Sequence, residues 1–279
     1  MPETEPKLHI SIITLFPDIF DNHLKHLPIS RALEKKLVQI DFINLRDFAV
    51  DKRGTVDSPP YGGGPGMILQ PEPIFNAVSF AVNRYKDLLT GVDKDKSNKS
   101  EDLPGDMLGK DGSDKKLSKI IFLTPRGKTY DQKKALELSQ VDYLIIVCGR
   151  YEGMDQRVVD YFTNIADLSG QTADYRQNNP PINPTDTMNE LIAEEVSIGN
   201  YVLSGGEIPS MAIVESVVRL LPGAIDNPEA LTNESFNPSR PSQVEHPQYS
   251  RPEEWQGLKV PEVLVSGHHA KIEKWKGLA

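Results

Sequence analysis

The feature that most constrains the fold is a glycine-rich motif placed between a strongly apolar run and a helical pattern. The motif reads CGRYEG at residues 148–153 and follows the run YLIIV at residues 143–147. Residues 155–162 then carry apolar side chains at helical spacing, so the segment predicts a buried strand, a tight turn and a helix. Glycine at such a turn lets the backbone approach a ligand closely.

A second stretch repeats this arrangement. SIGNYVLSGGE occupies residues 197–207, where the segment YVL at 201–203 is strand-like and Pro209 opens a helix with apolar positions up to Leu221. In an open α/β sheet, ligands bind at the carboxyl ends of the strands. Two such turns therefore predict a small-molecule pocket lined by main chain. The glycines alone leave a second interpretation equally open, in which both are ordinary strand–helix turns.

Strand and helix patterns alternate along the first part of the chain. Further strands are predicted at residues 8–15, 38–45 and 119–124. Helices are predicted at residues 28–37, 73–89 and 131–138. This alternation predicts an α/β fold with a parallel sheet and helices on both faces. Periodicity alone favours an unknotted, Rossmann-like sheet, because knotted chains are rare.

Composition limits the class of protein. The 279 residues can form one large core and a small second domain. The single cysteine, Cys148, excludes an internal disulfide and is predicted to be a buried apolar side chain.

The sequence shows no signal peptide and no apolar run of about 20 residues, so we expect a cytoplasmic protein without a membrane partner. The net charge of −9 disfavours non-specific RNA binding, which would need local Arg and Lys clusters.

Three segments are predicted to be loops. Residues 51–66 are rich in glycine and proline and contain Tyr61. Proline stiffens this loop and Tyr61 offers a face on which a planar base can stack, although a simple connector is the alternative. Two polar segments, at about 91–118 and 164–190, are predicted to be surface insertions.

Several motifs together resemble one family. RYEG at 150–153 and SIGNYVLSGGE at 197–207 occur in order, with YGGGPGM at 61–67, LTPRG at 123–127 and HPQYSRP at 246–252. This set closely resembles the bacterial tRNA (guanine-N1)-methyltransferases of the SPOUT class. The resemblance implies a trefoil-knotted domain that transfers a methyl group from S-adenosylmethionine to N1 of guanine at position 37 of tRNA, directly 3′ of the anticodon. It also implies a homodimer that binds the anticodon arm, and it raises Mg²⁺ as a further cofactor.

The resemblance also predicts how the chain is divided. Residues 1–224 would form the knotted methyltransferase domain, interrupted by the two insertions, and residues 225–241 would form a linker. Residues 242–279 would begin a small, mostly helical, tRNA-binding domain. The family continues for a few tens of residues beyond this point, so the resemblance leads us to expect an incomplete second domain.

The family's functional residues are carried over by motif. The target base is expected beside Tyr61, Gly62 and Gly63. The methyl donor is expected to contact three loops, with residues Leu123 and Pro125 in the first, Gly149, Tyr151, Glu152 and Gly153 in the second, and Ile198, Gly199, Tyr201, Leu203, Gly205 and Gly206 in the third. Glu152 would oppose a sulfonium or hold a metal ion; the alternative is an acid at a helix N-terminus. The paired histidines at 268–269 lack supporting ligands, so no protein metal site is predicted.

Two residues are expected to act on the target base. Glu234 lies where the family carries an aspartate that serves as the base, and the longer side chain departs from that pattern. A glutamate that is ionised at neutral pH can accept a proton. Arg219 would stabilise the negative charge that develops on guanine. The alternatives are a solvated linker acid for Glu234 and an exposed arginine packed on its helix for Arg219.

Two other function classes remain open. The aspartate-to-glutamate difference and the early carboxyl end motivate a non-catalytic homologue that binds RNA or the cofactor. The acidic composition motivates a nucleotide-dependent metabolic enzyme, which would show no salt-sensitive binding of tRNA.

Overall fold

The computed structural model describes residues 6–90, 117–163, 191–227, 231, 234–237 and 244–277. The chain divides into two compact units, Met1–Ile225 and Asp226–Ala279. The predicted insertions at about 91–118 and 164–190 lie almost wholly outside the described residues, and the predicted domain limits stay predictions. No described helix is both long and apolar enough to cross a membrane.

A five-stranded parallel sheet forms the centre of the first unit. The described strands of this unit are β1 (Leu8–Thr14), β2 (Val38–Asn44), β3 (Asp57–Ser58), β4 (Ile68–Leu69), β5 (Ser118–Thr129), β6 (Tyr143–Cys148) and β7 (Leu191–Ser197). The sheet has the order β2-β1-β6-β5-β7 and every pairing in it is parallel. The carboxyl ends of its strands therefore meet at one edge, where ligands bind in folds of this kind.

Five α-helices accompany these strands in the described part of the unit. They are α1 (Ile29–Glu34), α2 (Pro71–Thr90), α3 (Gln132–Leu138), α4 (Gln156–Thr163) and α5 (Glu207–Val218). Asp131 starts α3 because its side chain accepts a hydrogen bond from Lys134 N at 2.8 Å, which satisfies one of the free amides of the first turn. Short 3₁₀ turns follow β1 and β2.

The sheet has an apolar core on each face. Alternate β6 residues belong to different cores: Ile145 and Val147 to one, Ile146 and Cys148 to the other. Side chains of α2 and α4 complete the first core, and those of α1, α3 and α5 complete the second. Because both faces are covered, the central strand β6 is apolar throughout rather than alternating with polar residues. The predicted α/β class, with a parallel sheet and helices on both faces, is confirmed, whereas the knot stays a prediction.

The strand before the second glycine motif lies earlier than predicted. The segment at 201–203 is irregular, and its side chains are exposed; Val202, for example, is 81% exposed. The strand is instead β7, which ends at Ser197. The prediction was wrong because apolar residues that line a surface cavity have the same composition as a buried strand, and only pairing with β5 distinguishes them.

The second unit has little regular structure among its described residues. A two-stranded antiparallel hairpin, β8 (Glu254–Trp255) and β9 (Leu258–Lys259), precedes the short helices α6 (Glu262–Val265) and α7 (His269–Trp275). The Trp275 ring packs at a tilt against the rings of His246 and Tyr249, with centroid distances of 5.4 and 6.2 Å. The mostly helical tRNA-binding domain stays a prediction.

Candidate functional site

A cavity of about 300 Å³ opens at the carboxyl edge of the sheet, where three loops meet. The loops follow the regular parts of β5, β6 and β7. All twelve residues predicted to contact a cofactor line this cavity: Leu123, Pro125, Gly149, Tyr151, Glu152, Gly153, Ile198, Gly199, Tyr201, Leu203, Gly205 and Gly206. The structure thus brings the three motifs together, and their role in binding a methyl donor stays a prediction.

The first loop is a long irregularity within β5. Leu123 and Lys128 both pair with Val196 of β7, so residues 124–127 bulge out between them. This bulge carries Pro125 and Arg126 to the wall of the cavity, where both are exposed. A bulge of this kind re-aims side chains without ending the strand, which then continues to Thr129.

The second and third loops touch through their main chains. Gly206 N donates a 2.8 Å hydrogen bond to Gly149 O, and Gly206 is also the residue that precedes α5. A Cβ on Gly206 would stand 2.7 Å from Cys148 Cα, closer than real Cβ contacts allow. Glycine is therefore required here because a side chain has no room, and not because the backbone adopts a positive φ. Cys148 is buried at this point, and burial raises the pKa of its thiol.

Glu152 lines the cavity, and its predicted role toward a sulfonium or a metal ion stays a prediction. Its side chain packs against the glycine-rich loop: a Cβ on Gly66 would lie 2.5 Å from Glu152 Cγ and 2.7 Å from Oε1. Glu152 N also donates to Met67 O at 2.9 Å. The acid at the start of α4 is instead Asp155, which accepts from Arg157 N at 2.9 Å. Glu152 lines the cavity and ties it to the loop expected beside the target base.

The loop predicted to meet the base projects into solvent. Tyr61 is 98% exposed, and Gly62 and Gly63 both adopt positive φ, at 87° and 79°. The short hairpin of β3 and β4 anchors this loop, and β4 is held in turn by hydrogen bonds from Leu69 N to Gly153 O and from Asp155 N to Leu69 O, each 3.0 Å. The base-binding role of Tyr61, Gly62 and Gly63 stays a prediction.

Of the two predicted catalytic residues, Arg219 lies in the same unit as the cavity and does not line it. Arg219 follows the last residue of α5, whose first turn borders the cavity; at about 1.5 Å per residue, Gly206 and Arg219 are about 20 Å apart along the helix axis. Glu234 belongs to the second unit, in a turn where Asn237 N donates to its carbonyl oxygen at 3.3 Å. Both roles stay predictions.

A buried ion pair that the sequence motifs do not indicate lies beside the cavity. Arg150 lines the cavity, and its Nε lies 2.8 Å from Oε2 of Glu207, which is only 2% exposed. Both residues stand inside the two glycine motifs, but 57 positions separate them, so local pattern could not pair them. The sequence feature that could have indicated this ion pair is the presence of a charged residue beside each glycine turn.

The described residues offer no protein site for a metal. Within the described ranges, no group of three or more His, Cys, Asp or Glu side chains could hold an ion. The expected dependence on Mg²⁺ stays a prediction.

Comparison with known proteins agrees with this geometry. The family model described as tRNA (Guanine-1)-methyltransferase TrmD matches residues 8–100, 108–170 and 185–278. A protein of Dictyoglomus turgidum named tRNA (guanine-N(1)-)-methyltransferase is 39% identical over 269 residues, which are 96% of this chain and 83% of that protein. Proteins of the same name from Staphylococcus carnosus and Bacillus velezensis are 34% and 38% identical over 96% of this chain, and the matches cover 84% and 86% of their own lengths. This chain belongs to the tRNA (guanine-1)-methyltransferase family.

Proposed function

We propose that this protein methylates N1 of guanine at position 37 of tRNA, with S-adenosylmethionine as the methyl donor. The observation that carries the proposal is the meeting of all twelve donor-loop residues around one cavity, in a chain that belongs to this family. The donor, when bound, supplies an activated methyl group on a positively charged sulfur. The protein must then hold the acceptor in line with that methyl group and remove the N1 proton.

The cavity suits such a donor. Its volume of about 300 Å³ is at the lower end of the range for small-molecule sites. Main-chain amides and carbonyls of the glycine turns can hydrogen-bond the edge of an adenine ring, and the apolar side chains of Leu123, Ile198 and Leu203 can pack on its faces. These residues would hold the nucleoside, while Tyr61 would stack on the target guanine.

Glu234 would accept the N1 proton. An ionised carboxylate within hydrogen-bond reach of N1 makes that nitrogen nucleophilic as the proton leaves. A guanidinium such as that of Arg219 would donate to guanine O6 and stabilise the negative charge that develops there. Both groups act only on the bound base, so their loss should reduce turnover far more than donor binding.

Arg219 would reach the reacting base from a second copy of the chain. Along α5, Arg219 lies about 15 Å beyond Pro209, the last residue of that helix that lines the cavity, which makes action within one chain difficult. Helix α5 is also apolar on most sides, yet Ile208 is 56% exposed and Ala212 one turn later is exposed as well. Two exposed apolar residues one helical turn apart can contribute to a protein interface. These observations support the expected homodimer.

A labelled-methyl transfer assay tests the proposed function. We expect incorporation into tRNA with guanine at position 37 and none into the same tRNA with adenine there. Glu234→Gln should lower the rate at least about a hundredfold, the usual worth of a general base, while calorimetric donor binding stays within about twofold. Glu245→Gln, an exposed acid in the same unit, is the matched control and should retain activity.

Each competing class predicts a different outcome of these experiments. Donor binding without any transfer to either tRNA would identify a non-catalytic homologue. Absence of donor binding, with tRNA binding that does not respond to salt, would favour a nucleotide-dependent metabolic enzyme. Because tRNA is the proposed substrate, we also propose a cytoplasmic location for the enzyme.

A further inference from the structure

An ion pair between Arg150 and Glu207 lies buried beside the cavity. Arg150 Nε and Glu207 Oε2 are 2.8 Å apart, and the side chains are 20% and 2% exposed. Neither of these two buried atoms makes a hydrogen bond with the described part of the chain. The attraction between the two opposite charges, rather than a well-aligned hydrogen bond, therefore stabilises this contact.

The surrounding structure fixes this pair in position. Thr14 Oγ1 donates to Glu207 Oε1 at 2.8 Å, and the Arg150 guanidinium carbon lies 4.4 Å from the ring centroid of Phe16. A Cβ on Gly205 would fall 2.3 Å from Arg150 Nε and 2.5 Å from Glu207 Oε2, so the third loop lies directly on the pair. The end of β1 and the two glycine loops thus meet at these two charges.

Burial makes the charge of Arg150 important for what the cavity can hold. The charged residues that line the cavity are Arg126, Arg150 and Glu152. Arg126 and Glu152 are exposed, where solvent weakens their fields, whereas Arg150 is mostly buried. An uncompensated buried cation would repel a positively charged ligand strongly. Glu207 supplies the compensating charge from behind the wall.

We propose that Glu207 neutralises Arg150 and thereby sets the affinity of the cavity for a sulfonium donor relative to the neutral thioether left after methyl transfer. The inference rests on the proposed function, because it takes S-adenosylmethionine and S-adenosylhomocysteine as the two ligands. These differ in the methyl group and the charge it places on sulfur. Arg150 and Glu207 are thus specificity-determining residues that need not touch the reacting atoms.

The size of the effect follows from the size of the cavity. A cavity of about 300 Å³ is about 8 Å across, so a sulfonium inside it lies within about 10 Å of a lining residue. With an effective dielectric constant of about 20, removing the compensating charge should change the affinity for the sulfonium about five- to twentyfold. The neutral thioether should not feel this change.

The test is calorimetric titration of each variant with both ligands. Glu207→Gln keeps the shape and the acceptor for Thr14 but leaves Arg150 uncompensated, so the Kd for the donor should rise about five- to twentyfold relative to that for the thioether. Arg150→Gln leaves the carboxylate uncompensated, so the ratio should shift in the opposite direction. The double variant should return to the wild-type ratio. Because the two single variants have opposite expected signs, either one tests the proposal if the other fails to fold.

A carboxylate elsewhere in the sheet serves as the control. Glu194 on β7 pairs with Lys134 at 2.9 Å and does not line the cavity, so Glu194→Gln should leave the ratio of the two Kd values unchanged. Equal changes in both Kd values, or a shift in the same direction in both single variants, would reveal a merely structural pair and overturn the inference. A wild-type protein that binds neither ligand would reject the proposed function together with the inference, whereas unaltered ratios in folded variants would reject the inference alone.

Discussion

At the scale of single residues, the cavity depends on positions where no side chain fits. Gly206 illustrates this, because its Cα lies against the main chain of Cys148 and its amide is bonded to Gly149 O. Methyl groups can be accommodated beside flexible side chains but not beside a backbone that is itself held in a sheet. The glycine motif is thus a requirement of contact between two loops, whatever ligand the loops bind.

Gly206→Ala should therefore impair the cavity more than the fold. The added Cβ must displace Cys148 or Gly149, and overpacking of this kind costs about 1–3 kcal/mol. Donor affinity should fall about five- to hundredfold, because the loops that bind the donor must separate. Isothermal titration calorimetry measures the change, and thermal unfolding by circular dichroism reports on the fold.

The matched control is Gly267→Ala in the second unit. Gly267 has a φ of +71° with no atom within 4 Å of a built Cβ, so alanine there costs about 1 kcal/mol of backbone strain without any clash. Donor affinity should be unchanged in this variant. Wild-type affinity in Gly206→Ala, or an equal loss in Gly267→Ala, would contradict the assignment of the loops to the cavity.

At the scale of elements, helix α3 is fastened to the sheet by charge as well as by apolar contact. Glu137 on α3 is hydrogen-bonded by Lys119 of β5, which is 6% exposed, and by Lys134. Lys134 also reaches Glu194 on β7 at 2.9 Å. The hydrogen bonds from Lys119 and Lys134 lower the pKa of the Glu137 carboxyl. Lys119 without these carboxylates would be a buried, unpaired cation.

The lowered pKa makes the contribution of Glu137 depend on pH in a defined direction. The unfolded carboxyl titrates near 4.5, and the folded one titrates lower, so its contribution is complete above that pH and is lost as the pH falls through the folded pKa. Glu137→Gln should therefore be less stable than the wild type at about pH 7 and should differ from it much less at about pH 3. Urea unfolding at both pH values measures this; the exposed Glu34→Gln serves as the control. A difference between wild type and Glu137→Gln that is constant with pH would contradict the assigned cause.

At the scale of the whole molecule, the proposed sharing of a catalytic site between two copies predicts the activity of mixtures of variants. At a donor concentration well below the Kd of Gly206→Ala, Arg219→Ala and Gly206→Ala should each show little activity alone. Co-expressed with different affinity tags and purified through both tags, so that only mixed dimers remain, they should regain about half of wild-type transferase activity, because one of the two sites in each mixed dimer is intact. Transfer assays on the doubly purified mixture measure the recovery.

The absence of recovery would have a clear meaning. It would show that Arg219 acts on the site of its own chain, since a mixed dimer would then contain no intact site. A mixture of Gly206→Ala with wild type controls for exchange of subunits and should show activity in proportion to the wild-type copies.

The acidic charge of the chain predicts how tRNA binding should respond to salt. With a net charge of −9, the chain as a whole repels phosphate, so binding must rest on local contacts between basic residues and the tRNA backbone. The logarithm of the tRNA affinity should then fall linearly with the logarithm of salt concentration, by about 0.7–0.9 per phosphate contacted. Filter binding across a salt series measures the slope. A slope near zero would contradict tRNA as the partner, and donor binding in the same buffers should change little.

Local patterns in the sequence were sufficient for the α/β class, the helices on both faces and the loops that line the cavity. The reason is that apolar periodicity and glycine at a turn are properties of consecutive residues, as in the run before Gly149. Local patterns were insufficient where the pairing of two distant segments determines which residues form a strand. Whether residues 201–203 or Leu191–Ser197 form the strand depends on which of them pairs with β5, and the bulge at 124–127 exists only because Leu123 and Lys128 both pair with Val196.

The same distinction separates the residues of the site. The family resemblance named the twelve residues that the structure places around the cavity, because each lies within a motif of consecutive residues, and their role in binding a donor stays a prediction. Only the tertiary structure places Arg150 beside Glu207. A buried charge is tolerated where folding brings an opposite charge next to it, and a local sequence pattern cannot show which distant residue supplies that charge.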